Sequence, residues 1–186
     1  MNMEKCQKAA AELVYELGSR HLTVTTVESC TGGLIAAALT SVPGSSEVFR
    51  RGYVTYCDEA KHSMVGVRKE TLQTYTAVSA ETAREMAEGG ACEAGADCCL
   101  SVTGYAGPPS GARGEDVGLV FIGCTLFGYT EVKRFHFDGD RQEVRGSAAF
   151  EALQLLAGKL AGSAAYSGNC RIAISQCSQM KTRQRS

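Results

Sequence analysis

The sequence has no tryptophan, and only three prolines and three histidines among 186 residues. It has no run of eighteen or more apolar residues, so no segment reads as a membrane span. It has no excess of either charge: the formal net charge is −1, which gives no global field to recruit nucleic acid or an anionic membrane. The polar start, M-N-M-E-K-C-Q-K, lacks the apolar stretch of a secretory signal. Few histidines and no C-x-x-C pair leave no framework for zinc, and no metal or other cofactor is expected. None of His21, His62 and His136 follows a strand end with a nucleophile nearby, so a Ser-His-Asp triad has little support. Neither G-x-x-x-x-G-K-[ST] nor G-x-G-x-x-G occurs.

Cysteine, by contrast, is plentiful. There are nine, an odd number, and several lie in apolar runs where a free thiol acts as a small hydrophobe. This usage reads as a reducing, cytoplasmic compartment. Apolar residues at 44% and charged residues at 21% are ordinary for a globular domain. One domain is expected over residues 1–160. Residues 161–186 lose all periodicity and end in the basic M-K-T-R-Q-R-S, so a disordered tail is expected there.

Helix periodicity marks 4–18, with Gly18 as the stop. The β-branched L-T-V-T-T-V-E at 22–28 reads as a strand, and 32–42 as an apolar helix ended by Pro43-Gly44. A strand is expected over 51–57, then a short helix over 58–65 capped by Asp58. Ser79 is a good N-cap for a helix over 80–94 that Gly95 closes. A buried strand over 96–103 leads into a glycine-rich loop, 104–116. Strands at 117–127 and 130–137 flank a Gly128-Tyr129 turn, the second near a sheet edge. A final helix, 141–160, starts at an Asp140/Glu143 capping box and carries a stripe of Val144, Ala148, Ala152, Leu156 and Leu160. This order predicts a three-layer α/β/α sandwich with a mixed, mostly parallel sheet.

In such sheets ligands gather at the carboxyl ends of strands. Three stretches fall there: E-S-C-T-G-G at 28–33, Y-C-D-E-A-K at 56–61, and the loop after Thr103. Ser29 stands where a strand gives way to a helix, whose first N–H groups can stabilise an oxyanion, and Gly32 and Gly33 allow close approach. The competing reading makes Ser29 or Thr31 a helix cap. Lys61 is either an exposed lysine or a base. A base must be brought from about 10.4 to near 7, at a cost of about 4 kcal/mol, by desolvation or a nearby positive charge. Four glycines after Thr103 suit either backbone contact with a ligand or mere flexibility. Arg113 reads as a surface charge. Arg141 is open to the same surface reading, but it gains weight as a phosphate ligand because it opens a helix.

Taken in order, E-S-C-T-G-G, V-P-G-S-S-E-V-F (42–49), G-Y-V-T-Y-C-D-E-A-K (52–61), V-T-G-Y-A-G-P (102–108), V-G-L-V (117–120) and F-D-G-D-R (137–141) resemble the CinA C-terminal domain family over roughly residues 5–160. That resemblance implies an amidohydrolase acting on nicotinamide mononucleotide, with a serine nucleophile and a lysine base, and a homodimer. Carried over by motif, the catalytic residues are Ser29, Lys61 and Tyr56. The substrate-binding residues are Cys30, Thr31, Gly32, Gly33, Thr103, Gly104 and Arg141. The chain departs from the family pattern at Cys57-Asp58, Tyr105 and Pro109-Ser110, which touches substrate fit more than the nucleophile and base. Some members carry an extra N-terminal domain similar to molybdopterin-binding proteins, for which 186 residues leave no room. Two alternatives stay open: Cys30 as the nucleophile, since a thiolate is intrinsically stronger, and a nucleotide-binding or interaction module without turnover.

Overall fold

The structure is a computed structural model that describes residues 3–108 and 116–163. The expected tail from 164 onward, Arg113 and the centre of the glycine-rich loop lie outside the described residues.

Small and β-branched residues build the centre of the sheet. Strand β1 (Val24–Glu28) is buried at every position, and β3 (Cys98–Gly104) at all but its last, as strands covered on both faces require. Strands β2 (Phe49–Val54), β4 (Leu119–Leu126) and β5 (Tyr129–His136) complete a sheet of order β2-β1-β3-β4-β5. β1 pairs in parallel with both β2 and β3. β4 is antiparallel to β3 and to β5, so four strands share a direction and β4 opposes them. The three-layer fold with a mixed sheet is therefore as expected.

Helices α1 (Met3–Ser19), α2 (Leu34–Thr40) and α6 (Arg141–Gly162) pack together on one face; α5 (Ala80–Ala94) covers the other, with α3 (Asp58–Val65) and α4 (Lys69–Tyr75) against it. The first face holds the larger core, built on leucines such as Leu13, Leu17, Leu39, Leu153 and Leu156. The second is smaller, around Val27, Tyr53, Val65 and Met86. There, close approach replaces bulk. A Cβ on Gly89 of α5 would lie 1.7 Å from the carbonyl oxygen of Val65, at the end of α3. One on Gly90 would lie 2.3 Å from Val27.

Several boundaries differ from expectation for local reasons. α2 begins at Leu34 because Gly32 and Gly33 have φ of 60° and 95°, outside the helical range. β2 runs over Phe49–Val54, earlier than 51–57, and Thr55–Tyr56 form the exit toward α3. The N-cap of α3 is Cys57, not Asp58, and no side chain bonds there. The β4–β5 turn is Phe127-Gly128, with φ of 50° and 82°, the positive pair that a two-residue hairpin demands. Tyr129 instead opens β5 opposite Leu126. α4 was not expected: K-E-T-L-Q-T-Y buries only Thr71 and has no apolar stripe. The Ser79 cap, the Gly95 stop, the Asp140/Glu143 capping box, the whole α6 stripe and the edge position of β5 are as read from sequence.

Candidate active site

Because β2, β1 and β3 are parallel neighbours, the three expected stretches emerge side by side. The chain leaves β1 through α2 on one face and leaves β2 through α3 on the other. Connections that diverge in this way open a crevice at the strand ends. Ser29 follows β1 and Lys61 rides on α3, so the pair spans it.

Lys61 is 1% exposed. Its Nζ lies 3.3 Å from Ser29 Oγ and 3.0 Å from the Thr55 carbonyl oxygen. No carboxylate forms a salt bridge with it among the described residues. Burial holds its pKa below the ordinary lysine value, against the opposing pull of Asp58, Cys57 and Cys30. Both of its hydrogen-bond partners, a carbonyl and a hydroxyl, are uncharged. Lys61 is thus a buried base candidate and not a surface lysine.

Neither Ser29 nor Thr31 caps α2. The cap is Glu28, fully buried, whose carboxylate accepts from the N–H groups of Gly33 at 3.0 Å, Ile35 at 3.1 Å and Ala36 at 2.9 Å. Of the first helix amides expected to serve an oxyanion, Ile35 and Ala36 are therefore already taken, and only the Leu34 N–H has no partner among the described residues. The Gly32 N–H is also taken, by the Ser29 carbonyl at 3.0 Å. Among the described residues, no hydrogen bond uses the N–H of Cys30 or Thr31, which remain as donors. Two fully buried hydroxyls nearby, Thr31 Oγ1 and Thr55 Oγ1, also have no partner among the described residues.

The other expected residues divide between the rim and the frame. The Tyr56 hydroxyl accepts from Arg141 Nη2 at 2.8 Å, and Arg141 Nη1 donates to the Gly107 carbonyl at 2.6 Å. Tyr56 is 60% exposed, and no hydrogen bond joins it to Ser29 or Lys61. The start of α6 is already closed by Asp140 and Glu143, so its amides do not add an anion site to Arg141. Thr103 is buried and donates to the Ala77 carbonyl at 2.7 Å. A Cβ on Gly104 would meet Leu119 O at 2.6 Å, so glycine there serves β4 packing. Burial pushes the Cys30 thiol up to about 11, which leaves it protonated and argues against the cysteine alternative.

A profile of the CinA C-terminal domain matches residues 6–160. The chain belongs to the CinA C-terminal domain family. Within it, a putative competence-damage inducible protein of Clostridium perfringens is 49% identical over 140 residues, which cover 75% of this chain and 34% of that protein. A CinA-like protein of Kosmotoga olearia is 45% identical over 153 residues, covering 82% and 36%. The chain thus spans about a third of the length of these curated relatives. Among solved structures, the competence damage-inducible protein A of Klebsiella pneumoniae superposes with a TM-score of 0.81 at 41% identity, covering 84% of this chain and 97% of that one. A competence/damage inducible protein of Agrobacterium tumefaciens gives 0.79 at 40%, covering 83% and 94%.

Two residues of this CinA domain escaped the sequence reading. Glu28 ends a strand and looks like any acid leaving a sheet. Arg145 lies four residues after Arg141 on α6, and its Nε and Nη2 donate to the carbonyls of Cys30 at 3.1 Å and Thr31 at 2.8 Å. The i, i+4 spacing from Arg141 was the available signal, since it sets both cations on one helix face.

Proposed function

We propose that this CinA-family chain hydrolyses the carboxamide of nicotinamide mononucleotide, giving nicotinate mononucleotide and ammonia through a Ser29 acyl-enzyme. One observation carries the reading: a buried lysine without a counter-ion sits 3.3 Å from a serine hydroxyl at the end of a central strand. A neutral amine there is a competent base at ordinary pH.

Lys61 Nζ takes the Ser29 proton as Oγ bonds to the carboxamide carbon, and the C=O pair becomes an oxyanion. The Cys30 and Thr31 N–H groups receive that charge. Collapse breaks the C–N bond, and Lys61 returns its proton to the departing nitrogen, which leaves as ammonia. Water then attacks the ester and gives a proton to Lys61. The C–Oγ bond breaks, and Ser29 recovers the proton. The exposed ring of Tyr56 offers its face to the pyridinium, a cation–π contact, and Arg141 exchanges one rim partner for the 5′-phosphate.

The test is ammonia release from nicotinamide mononucleotide by wild type and Ser29→Ala. Activity is expected only with the serine. Wild-type rates in Ser29→Ala end the mechanism. Tight mononucleotide binding without ammonia, at high enzyme concentration, would instead support a silent binding module.

A further inference from the structure

Three successive carbonyls of the nucleophile turn, those of Ser29, Cys30 and Thr31, are tied down. The Ser29 oxygen accepts the Gly32 N–H at 3.0 Å. The Cys30 and Thr31 oxygens accept from one guanidinium, Arg145, whose remaining Nη1 lies 3.3 Å from Gln142 Oε1. In a trans peptide the C=O and N–H point in opposite directions. A donor fixed on the Cys30 oxygen therefore fixes the direction of the Thr31 N–H, on the side away from α6. A charged donor on the carbonyl also polarises that N–H and makes it a stronger donor. On the far side, Glu28 holds Gly33, Ile35 and Ala36, so the turn is gripped at both ends and its two unpaired amides lie between. Gly32 serves the turn through its φ of 60°, which side-chain-bearing residues rarely adopt.

We propose that Arg145 is a positioning residue for the oxyanion site: its guanidinium, bonded to the backs of two adjacent peptides in the nucleophile turn, aims and strengthens the Thr31 N–H that receives the developing charge. The role rests on the serine-hydrolase reading above. It does not depend on the identity of the amide, because any tetrahedral adduct on Ser29 calls on the same donors. Arg145 touches neither Ser29 Oγ nor Lys61, so it acts on the stability of the adduct and not on deprotonation.

Two measurements on wild type, Arg145→Met and Arg145→Lys separate these effects. One is the rate at which a fluorophosphonate ester labels Ser29, followed by intact mass over a range of pH; the other is kcat and KM for ammonia release from nicotinamide mononucleotide. Arg145→Met is expected to lower both labelling rate and kcat about 100-fold, comparable to losing one oxyanion donor, with KM moving less than about threefold. The pH midpoint of labelling, set by Lys61, stays where it is in wild type. Arg145→Lys recovers part of the loss, since one charged donor replaces two. Labelling by Arg145→Met at the wild-type rate overturns the proposal, as does a loss confined to KM or one that shifts the pH midpoint. If thermal melting shows Arg145→Met unfolded, Arg145→Lys decides: a folded variant with wild-type labelling overturns it equally. Wild type that is labelled but releases no ammonia removes the mononucleotide substrate and leaves the positioning role measurable. Wild type that is never labelled at Ser29 ends both.

Discussion

At the end of β1, Glu28 is shut away from water and meets three backbone N–H groups. One strand over, past the end of β2, Lys61 is shut away almost as completely and meets one carbonyl and one hydroxyl. Both are ionisable, both are buried, and both border Ser29. The carboxyl group is matched by three donors aimed at it, and its job is to start α2. The amine has no salt-bridge partner among the described residues, so burial works against its charged form and outweighs the pull of Asp58, Cys57 and Cys30. Burial alone does not separate a structural charge from a chemical one; the completeness of the partner set does.

Replacing each residue in turn sharpens this contrast. Lys61→Met has the largest expected effect on turnover, a loss of about 10⁴-fold for removing the base, read as ammonia release. Its effect on folding runs the other way. Burial lowers the lysine pKa from 10.5, so as pH falls from above that value the unfolded chain binds the proton first. Wild-type stability therefore declines as pH drops from 10.5 toward the lowered folded value, and levels off below it. Urea unfolding of Lys61→Met across that window is expected to lack this decline and to show no less stability at neutral pH. A wild-type profile without the decline would sink the neutral-amine account.

Glu28→Gln should do the reverse. An amide keeps one acceptor oxygen and turns an NH₂ toward N–H groups, so a stability loss of about 3 kcal/mol is expected from the poorly met amides. Denaturant midpoints measure it. A loss under about 1 kcal/mol would mean the three bonds are not what holds α2 in place. Thr103→Val is the smallest. It removes the bond to Ala77 and should cost about 1 kcal/mol of stability with KM unmoved. A raised KM at wild-type stability would restore Thr103 to the substrate.

What could be read from the chain was whatever one element decides alone. The Ser79 cap with its Gly95 stop, the α6 stripe and the Asp140/Glu143 box are local patterns, and they stand. The serine and lysine came from strand-end position and from likeness to a family. What could not be read was who partners whom across the sheet. Glu28 as the cap of α2, Arg145 behind the turn, and Arg141 bridging Tyr56 and Gly107 join positions that the sequence keeps apart. Thr103 and Gly104 have packing roles that the sequence did not show, because small and hydroxyl residues serve sites and sheet packing alike. α4 was missed since a polar helix that buries one threonine carries no periodic signal.

The near-touching backbones at Gly89 and Val65 have a bearing on how the proposed activity could be retuned. With no side chain between them, α3 sits directly on α5 at this point, and the burial of Lys61 on α3 depends on how the pair seats on the sheet. An engineer wanting a different working pH would find more leverage in the seat than in the reacting groups. For the base proposed above, loosening that seat would let water reach the nitrogen and favour its charged form, with every reacting atom still present.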